Sequence, residues 1–379
     1  MKKVLFSASV LSHIRTFHRP YLAFFKENGF EVHVVAKNNL GGEWNYTAYI
    51  DQFFDIDFNR SPFKMDNVRV LRDLTSIITE NNYALIHCHT PVAGVLTRLA
   101  ARTARKTGTK VVYTAHGFHF YKGAPFLNWL LFYPVEKTAS KWTDCLITIN
   151  REDYEIALRQ CFKSHRIAYV PGVGVDLSRF SPVDACIVSR LRAEYGYSDD
   201  DFLLLYAAEL NRNKHQDLLI KSVARIVEKV PAVRLLLAGR GPLVNQYRRL
   251  AVELNVSNHV EFLGYRNDMH RIVPMCDVIV ASSYREGLGL FVAEGMACAK
   301  PIIATKNRGH SELVCHGQNG FLVELDDYVS FSEYVQLLYR EPNLRVAMGK
   351  KSYELVERFS LSRVYPEMTS LYKAVLNQR

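Results

Sequence analysis

The stretch EGLGLFVAEGMACAKPIIAT, residues 286–305, decides the fold. An apolar run, DVIVAS (277–282), precedes it, and PIIAT (301–305) closes it, with the helix-like LFVAEGMAC between. Strand, glycine-containing loop, helix and strand in that order make a parallel βαβ unit. Such a loop presents backbone N–H groups at a helix N-terminus, a ready site for phosphate. Glu286 stands at the loop and Glu294 about two helical turns further on. Each can accept hydrogen bonds from hydroxyls on its own side of the turn. A ligand with a diphosphate in the middle and a sugar at each end fits this spacing, and a nucleotide sugar is such a ligand. The plainer reading has the glycines only tightening a turn and the glutamates only facing water.

Working outward, strands and helices alternate almost throughout. Apolar strand candidates in the first half are 4–9, 31–36, 84–88, 110–115 and 145–150, with helix-like stretches at 15–28, 66–81, 92–107, 125–140 and 151–161. A turn-rich passage, PGVGVDLSRFSPVD (171–184), reads as a linker. The alternation restarts with strands at 202–208, 233–238, 260–264, 277–282 and 301–305. Their helices fall near 214–229, 242–254, 268–275, 290–299 and 330–340. Near-continuous apolar strands are what a parallel sheet covered on both faces requires. The expectation is α/β: two doubly wound, Rossmann-like domains, 1–172 and 185–358, facing a cleft. A last helical stretch, 360–379, would pack back on the first.

Composition narrows the class. The chain has 379 residues, 48% apolar and 23% charged, as in globular proteins of two domains. No run of some 18 apolar residues marks a membrane span. The N-terminus imitates a signal peptide for ten residues, then meets His13, Arg15 and His18 without a small-residue cleavage site, so VLFSAS reads as a first buried strand. Seven scattered cysteines without a C-x-x-C indicate reduced, cytosolic usage. The net charge of +10 suits nucleic acid, an anionic membrane surface or phosphorylated substrates. No zinc-finger spacing, RRM motif or long basic block supports nucleic acid. The densest basic stretch, Arg98, Arg102, Arg105, Lys106 and Lys110, places three arginines on one helix face, either solvated or directed to anionic lipid.

Ligands of parallel sheets bind beyond the C-terminal ends of the strands. His87, Cys88 and His89 end one strand, and His116 and His119 follow the next. A metal cage is conceivable, but no carboxylate joins them and the spacing fits strand tips better. His87 reads equally as a hydrogen-bonded residue of the core edge or as an acceptor-side group. His116, before Gly117, projects from a sharp turn toward a reacting sugar. The aromatic stretch FHFYKGAPFLNWLLFYPVEK (118–137) exceeds what one helix face can bury, and its surplus beside lysines and arginines suits a bilayer interface. In the second half, Lys214 falls in the first turn of its helix, where a cation opposes the dipole and an anion compensates; a solvated lysine is the bland alternative. Arg212 shares that loop, Tyr265 stands where a base could stack, and Asn307, Arg308 and Gly309 follow PIIAT.

Together these residues resemble the family-4 glycosyltransferases of the GT-B fold. EGLGLFVAEGMACAKPIIATKNRGHSELVCHGQNGFLV (286–323) follows that family's pattern from E-G-x-G to G-x-N-G-F-L-V. HCHTPVAGVLTRLAAR, YTAHGFHFYKGAPFLNWLLFYPVEK and TDCLITINREDY look like its bacterial EpsD-type and capsular exopolysaccharide branch. The resemblance implies a retaining transfer of sugar from a nucleotide sugar, usually UDP-linked, without a bound metal or cofactor. It implies that Glu286 bonds donor-sugar hydroxyls and Glu294 the ribose. The amides of Gly287, Leu288, Gly289 and Leu290 would hold the donor near its phosphates. Lys214 would neutralise the departing diphosphate, and His116 would bond the sugar near its reacting end. The implied acceptor is a lipid-linked saccharide, and the implied location is cytoplasmic, peripheral on the inner face of the cell membrane.

Two departures stand out. Glu209 replaces the arginine that usually helps hold the diphosphate, so either it turns away or pairs with Arg212, Arg240 or Arg308, or donor binding is weak. The first loop, SASVLSHI, lacks the family's paired glycines, which moves acceptor or phosphate contacts to side chains such as His13, with His87 and His119 nearby. A nucleotide-sugar epimerase of the same fold and a non-catalytic sugar-nucleotide or lipid-binding partner stay open as alternatives.

Overall fold

A computed structural model of the chain describes residues 1–42, 45–58 and 66–377. Residues 378–379 at the end of the expected last helix lie outside that set. The chain divides into two units, Met1–Gly174 with Val364–Arg379, and Val175–Arg363.

The first unit is built on seven parallel strands: β1 (Lys2–Val10), β2 (Phe30–Lys37), β3 (Gln52–Asp55), β4 (Leu85–His89), β5 (Lys110–Ala115), β6 (Cys145–Thr148) and β7 (Arg166–Tyr169). They lie in the order β3-β2-β1-β4-β5-β6-β7. Alternate residues of a strand point to opposite faces. Val4, Phe6 and Ala8 of β1 therefore enter one core, and Leu5 the other. Likewise Val112 of β5 serves the first core, while Val111, Tyr113 and Ala115 serve the second. This is why strands covered on both faces read as unbroken apolar runs. The C-terminal helix, Leu361–Leu376, contributes Val364, Met368, Leu371, Tyr372 and Val375 to the first of these cores.

The second unit repeats the scheme with six parallel strands: β8 (Phe202–Ala207), β9 (Val233–Ala238), β10 (Val260–Gly264), β11 (Val278–Ala281), β12 (Ile302–Thr305) and β13 (Gly320–Val323). Their order is β10-β9-β8-β11-β12-β13. In each sheet the order reverses beside the first strand, between β1 and β4 and between β8 and β11. Ligands of doubly wound folds gather at such switch points.

Several elements escape the sequence reading. Strand β3 is half-exposed and β7 somewhat less so, and four residues of QFFD or RIAY make no apolar run. Strand β13 opens on Gly320, where a Cβ would stand 2.0 Å from the carbonyl oxygen of Ile302. The helices Ala185–Tyr195, Arg308–Leu313 and Pro342–Val356 were not expected. The helix expected at 15–28 is two, Leu11–Phe17 and Arg19–Glu27, the second with Pro20 in its first turn, where its missing N–H costs nothing. The helix expected at 92–107 breaks at Ala101 into Pro91–Ala100 and Arg102–Lys106.

The arginine row is only partly a solvated face, with Arg102 exposed. Arg98 is buried, its Nη2 donating to Glu136 Oε2 at 2.7 Å and its guanidinium 3.8 Å from the Tyr113 ring. Gly94 makes room for that ring: a Cβ would lie 2.5 Å from it. Arg105 pairs with Asp144 at 2.6 Å. All seven cysteines are free, and four are buried. No helix of the described residues is long and apolar enough to cross a membrane.

Candidate functional site

At the switch point of the second sheet, the loop after β8 meets the loop after β11. Backbone and side chains stitch them together. Tyr284 N donates to Asn213 O at 2.8 Å, Asn213 Nδ2 to Arg285 O at 3.1 Å, and Ser282 Oγ to Lys214 O at 2.8 Å. The His215 and Tyr284 rings stack with centroids 4.1 Å apart. The helix over this loop runs from Gln216 to Ile226, with His215 at φ 53° just before it. Lys214 thus precedes the helix and does not lie in its first turn, a correction to the sequence reading. The left-handed turn at His215 carries the chain out of helical phase, and Lys214 leaves it pointing at Glu286.

Lys214 Nζ forms an ion pair with Glu286 Oε1. The same oxygen accepts from Ser283 Oγ at 2.6 Å, whose hydroxyl also contacts Tyr206 Oη at 2.6 Å. Burial opposes ionisation of Glu286, but the charge of Lys214, the nearby His310 and these hydrogen bonds outweigh it and hold its pKa below the ordinary value. Behind Glu286, Gly309 is obligatory: a Cβ there would lie 2.7 Å from Glu286 Cβ. Asn307 caps the helix Arg308–Leu313 by accepting from His310 N, and its Nδ2 donates to Ser283 O at 2.9 Å. His310 Nδ1 donates to Thr305 O at 2.7 Å, and Arg308 Nε to the Glu286 carbonyl at 3.3 Å. Ser283, Tyr206 and His310 belong to this network, and sequence reading missed them. Only the offset of three between Asn307 and His310, the span of an N-cap, hinted at one of them.

The helix Leu290–Ala297 starts on Gly289 at φ 97°, with no side chain capping its first amides and no acidic residue in its first turn. Leu288 is buried, while Gly287, Gly289 and Leu290 are half-buried. Glu294 sits further along this helix. It forms no ion pair among the described residues, and burial raises its carboxyl to about pKa 7, opposed only by Arg179.

Glu209 is exposed and accepts from Asn211 Nδ2 at 2.9 Å. It pairs with none of Arg212, Arg240 and Arg308 among the described residues. Gly239 and Gly241 allow the β9 turn to press on this loop, since Cβ atoms there would lie 2.0 Å from Ala208 O and 2.3 Å from Leu210 O. Arg212 is exposed. Tyr265, 61% exposed, lies under the Arg240 guanidinium, 6.0 Å from the ring centroid.

In the first unit, four imidazoles gather where β1, β4 and β5 end. His13 Nε2 lies 3.3 Å from His116 Nε2, which lies 3.4 Å from His89 Nδ1. His18 stacks on His89 with centroids 3.7 Å apart. Burial lowers the pKa of each, that of His116 to about 4. His87 is not in reach of an acceptor, which corrects one of its two readings. It is buried, and both ring nitrogens are taken, by Tyr372 Oη and Thr114 Oγ1 at 2.8 Å each. It ties the C-terminal helix to the sheet. His119 also stands apart from the four, stacked on Phe132 with centroids 4.6 Å apart.

The helix Phe126–Ala139 splits its apolar residues. Trp129, Phe132 and Tyr133 pack on the core. Phe126, Leu127, Leu130, Leu131 and Val135 stay exposed, Phe126 by 77%. In the same unit Arg102, Thr103, Arg105, Lys106 and Trp142 line a surface cavity of about 520 Å³.

Two doubly wound parallel sheets, one with an acid–base pair and an uncapped helix N-terminus at its switch point, define a GT-B glycosyltransferase. The chain belongs to that family. The model for "Glycosyl transferases group 1" matches residues 188–355, and that for "Glycosyl transferase 4-like" matches 3–150. It is 47% identical to "Putative glycosyltransferase EpsD" of Bacillus subtilis (strain 168), over 99% of this chain and 97% of that one. It is 26% identical to the UDP-Gal:alpha-D-GlcNAc-diphosphoundecaprenol alpha-1,3-galactosyltransferase of Escherichia coli, over 90% and 89%. The fold matches the crystal structure of HepE from Anabaena in complex with UDP and glucose, with TM-score 0.81 at 19% identity, over 99% of this chain and all of that one.

Proposed function

We propose that this glycosyltransferase moves a hexose or N-acetylhexosamine, with retention, from UDP onto a polyprenyl-diphosphate-linked saccharide in exopolysaccharide or capsule synthesis. The observation that carries this reading is the Lys214–Glu286 pair beside the uncapped start of the helix Leu290–Ala297. In this reading the donor diphosphate lies on the amides of Gly287 to Leu290, where the helix dipole favours negative charge. Lys214 is held by Glu286 in the free enzyme. As the sugar bond breaks, charge builds on the leaving UDP, and Lys214 meets it without having to be recruited from solvent. Glu286 Oε1 serves Lys214 and Ser283, which leaves Oε2 for a donor-sugar hydroxyl. Glu294 takes the ribose, Tyr265 and Arg212 flank the base side, and Arg308 adds positive charge. His116 contacts the reacting sugar, and His13 and His119 face the acceptor. Glu209, turned to Asn211, adds no repulsion strong enough to exclude a diphosphate.

The first unit carries the support for a lipid-linked acceptor and a peripheral place on the inner face of the cell membrane. Exposed Leu127, Leu130 and Leu131, with Arg102 and Lys106 on the same unit, suit an anionic bilayer surface. The activity of the Escherichia coli relative, on a diphosphoundecaprenol acceptor, supports the acceptor class.

The test is a screen of UDP-sugars with purified protein and a pool of polyprenyl-diphosphate saccharides, read by mass. A product heavier by one sugar from one donor, lost in Glu286→Ala, is the expected result. Interconversion of UDP-sugars without acceptor, or UDP binding with no transfer to any member of the pool, would overturn the proposal.

A further inference from the structure

We propose that His13, His89 and His116, with His18 completing the set, bind one divalent transition-metal ion of the zinc class. One ring nitrogen from each of the four lies within 4.8 Å of those of the others. A metal bound tetrahedrally by imidazole, at about 2.0–2.1 Å, separates its ligand nitrogens by about 3.3–3.4 Å. The separations here are 3.3 Å between His13 Nε2 and His116 Nε2, and 3.4 Å between His116 Nε2 and His89 Nδ1. These match tetrahedral edges and exceed the roughly 2.7–3.2 Å of a good N–H hydrogen bond. The rings of His13 and His116 stand at 87°, and those of His89 and His116 at 53°, so their nitrogens converge from different directions.

An independent observation points to the same place. His18 is only 3% exposed, and neither of its ring nitrogens has a partner. Folding seldom leaves buried polar atoms unpaired, and an ion is one of the few things that satisfies them. His18 lies stacked on His89, so a tilt of its ring brings one nitrogen to the fourth position. Burial keeps the four imidazoles neutral, the form that ligates. Neutral imidazole suits Zn²⁺, Cu²⁺ or Ni²⁺, whereas Mg²⁺ and Ca²⁺ demand oxygen ligands absent from this group. The same neutrality makes the cluster a poor anion site. The ion leaves Lys214 and Glu286 untouched, but it takes Nε2 of both His116 and His13, so those rings keep only Nδ1 for the sugar and acceptor contacts read above.

The experiment uses the full chain, stripped with chelator and passed into metal-free buffer, then titrated with ZnCl₂, CoCl₂ or MgCl₂. The expected result is uptake of one Zn²⁺ per chain with a rise in Tm, visible bands of tetrahedral nitrogen-bound Co²⁺, and no response to Mg²⁺. His13→Gln and His89→Gln should each weaken Zn²⁺ binding at least tenfold with an unchanged far-UV circular dichroism spectrum, whereas the exposed His270→Gln should not. X-ray absorption of the Zn²⁺-loaded wild type needs no variant and should show three or four nitrogen neighbours at about 2.0 Å. No stoichiometric uptake by the wild type, unchanged affinity in folded His13→Gln and His89→Gln, oxygen-dominated coordination, or a Tm rise with inorganic phosphate but not with Zn²⁺ would each overturn the proposal.

Discussion

The two units share a strand order and differ in what stands where that order reverses. In the first, the ends of β1, β4 and β5 carry neutral, buried imidazoles with nitrogens left unpaired. In the second, the loops after β8 and β11 carry a charged pair, Lys214 and Glu286, braced by Ser283 and backed by Gly309. The same doubly wound scaffold thus offers a cluster of uncharged rings in one copy and a preorganised charge in the other. Topology supplies the location, and a few residues at strand ends supply the chemistry.

The sharpest way to break the comparison is to remove the charged pair. Lys214→Ala and Glu286→Ala should each lower turnover by about 10²–10⁴-fold. Because the two are paired, the double variant should fall no more than about tenfold below the worse single one. Additive losses in a steady-state transfer assay would show that the residues act separately. Next is the backing glycine. Gly309→Ala forces a Cβ against Glu286, so turnover should drop about 10–100-fold with the fold retained, while Gly42→Ala, with nothing within 4 Å, should be silent.

Glu294 gives a pH-dependent contrast. Its carboxyl is raised to about 7 in the fold by burial, so the unliganded protein holds a proton there just below neutrality. If ribose hydroxyls need the carboxylate, UDP affinity should fall towards tenfold per pH unit below about 7, and Glu294→Gln should bind weakly and without that slope. Calorimetry across buffers of different ionisation enthalpy reads the proton directly. A flat wild-type profile would remove Glu294 from the binding site. For stability the sign is the reverse of a salt-bridged acid. Its folded pKa exceeds the unfolded one, so its contribution is complete below about pH 4.5 and is lost as pH rises through about 7. Glu294→Gln should therefore gain denaturation midpoint relative to wild type at pH 8.

The smallest effects test the first unit's structural histidine. His87→Ala loses hydrogen bonds to Tyr372 and Thr114 and should cost about 2–4 kcal/mol in urea unfolding. Tyr372→Phe, losing one, should cost about 1 kcal/mol. A normal unfolding midpoint in His87→Ala with lost transfer would return His87 to the acceptor side.

Much of this was legible in the chain. Buried parallel strands announce themselves as apolar runs because both faces are covered, and β5, β9 and β10 fall on their sequence bounds. Edge strands such as β3 and β7 are silent because one face meets water and four residues carry no period. At the candidate site, Glu286, Glu294 and Lys214 could be picked out because loop, helix and lysine are local patterns. Ser283 and His310 could not, since their meaning lies in contacts with segments elsewhere in the chain.

Residue order alone determined that the chain would form parallel α/β layers, that a phosphate-ready helix start would follow β11, and that the fold would be GT-B. The first two follow from period, glycine placement and backbone chemistry within a few dozen residues, and the third from the resemblance of 286–323 to the family-4 pattern. Only the tertiary structure decided that Lys214 is held by Glu286, that Glu209 turns to Asn211, that His87 is a core residue, and that His18 joins His13, His89 and His116. Such pairings depend on which strand ends the sheet brings side by side, and local sequence carries no record of that.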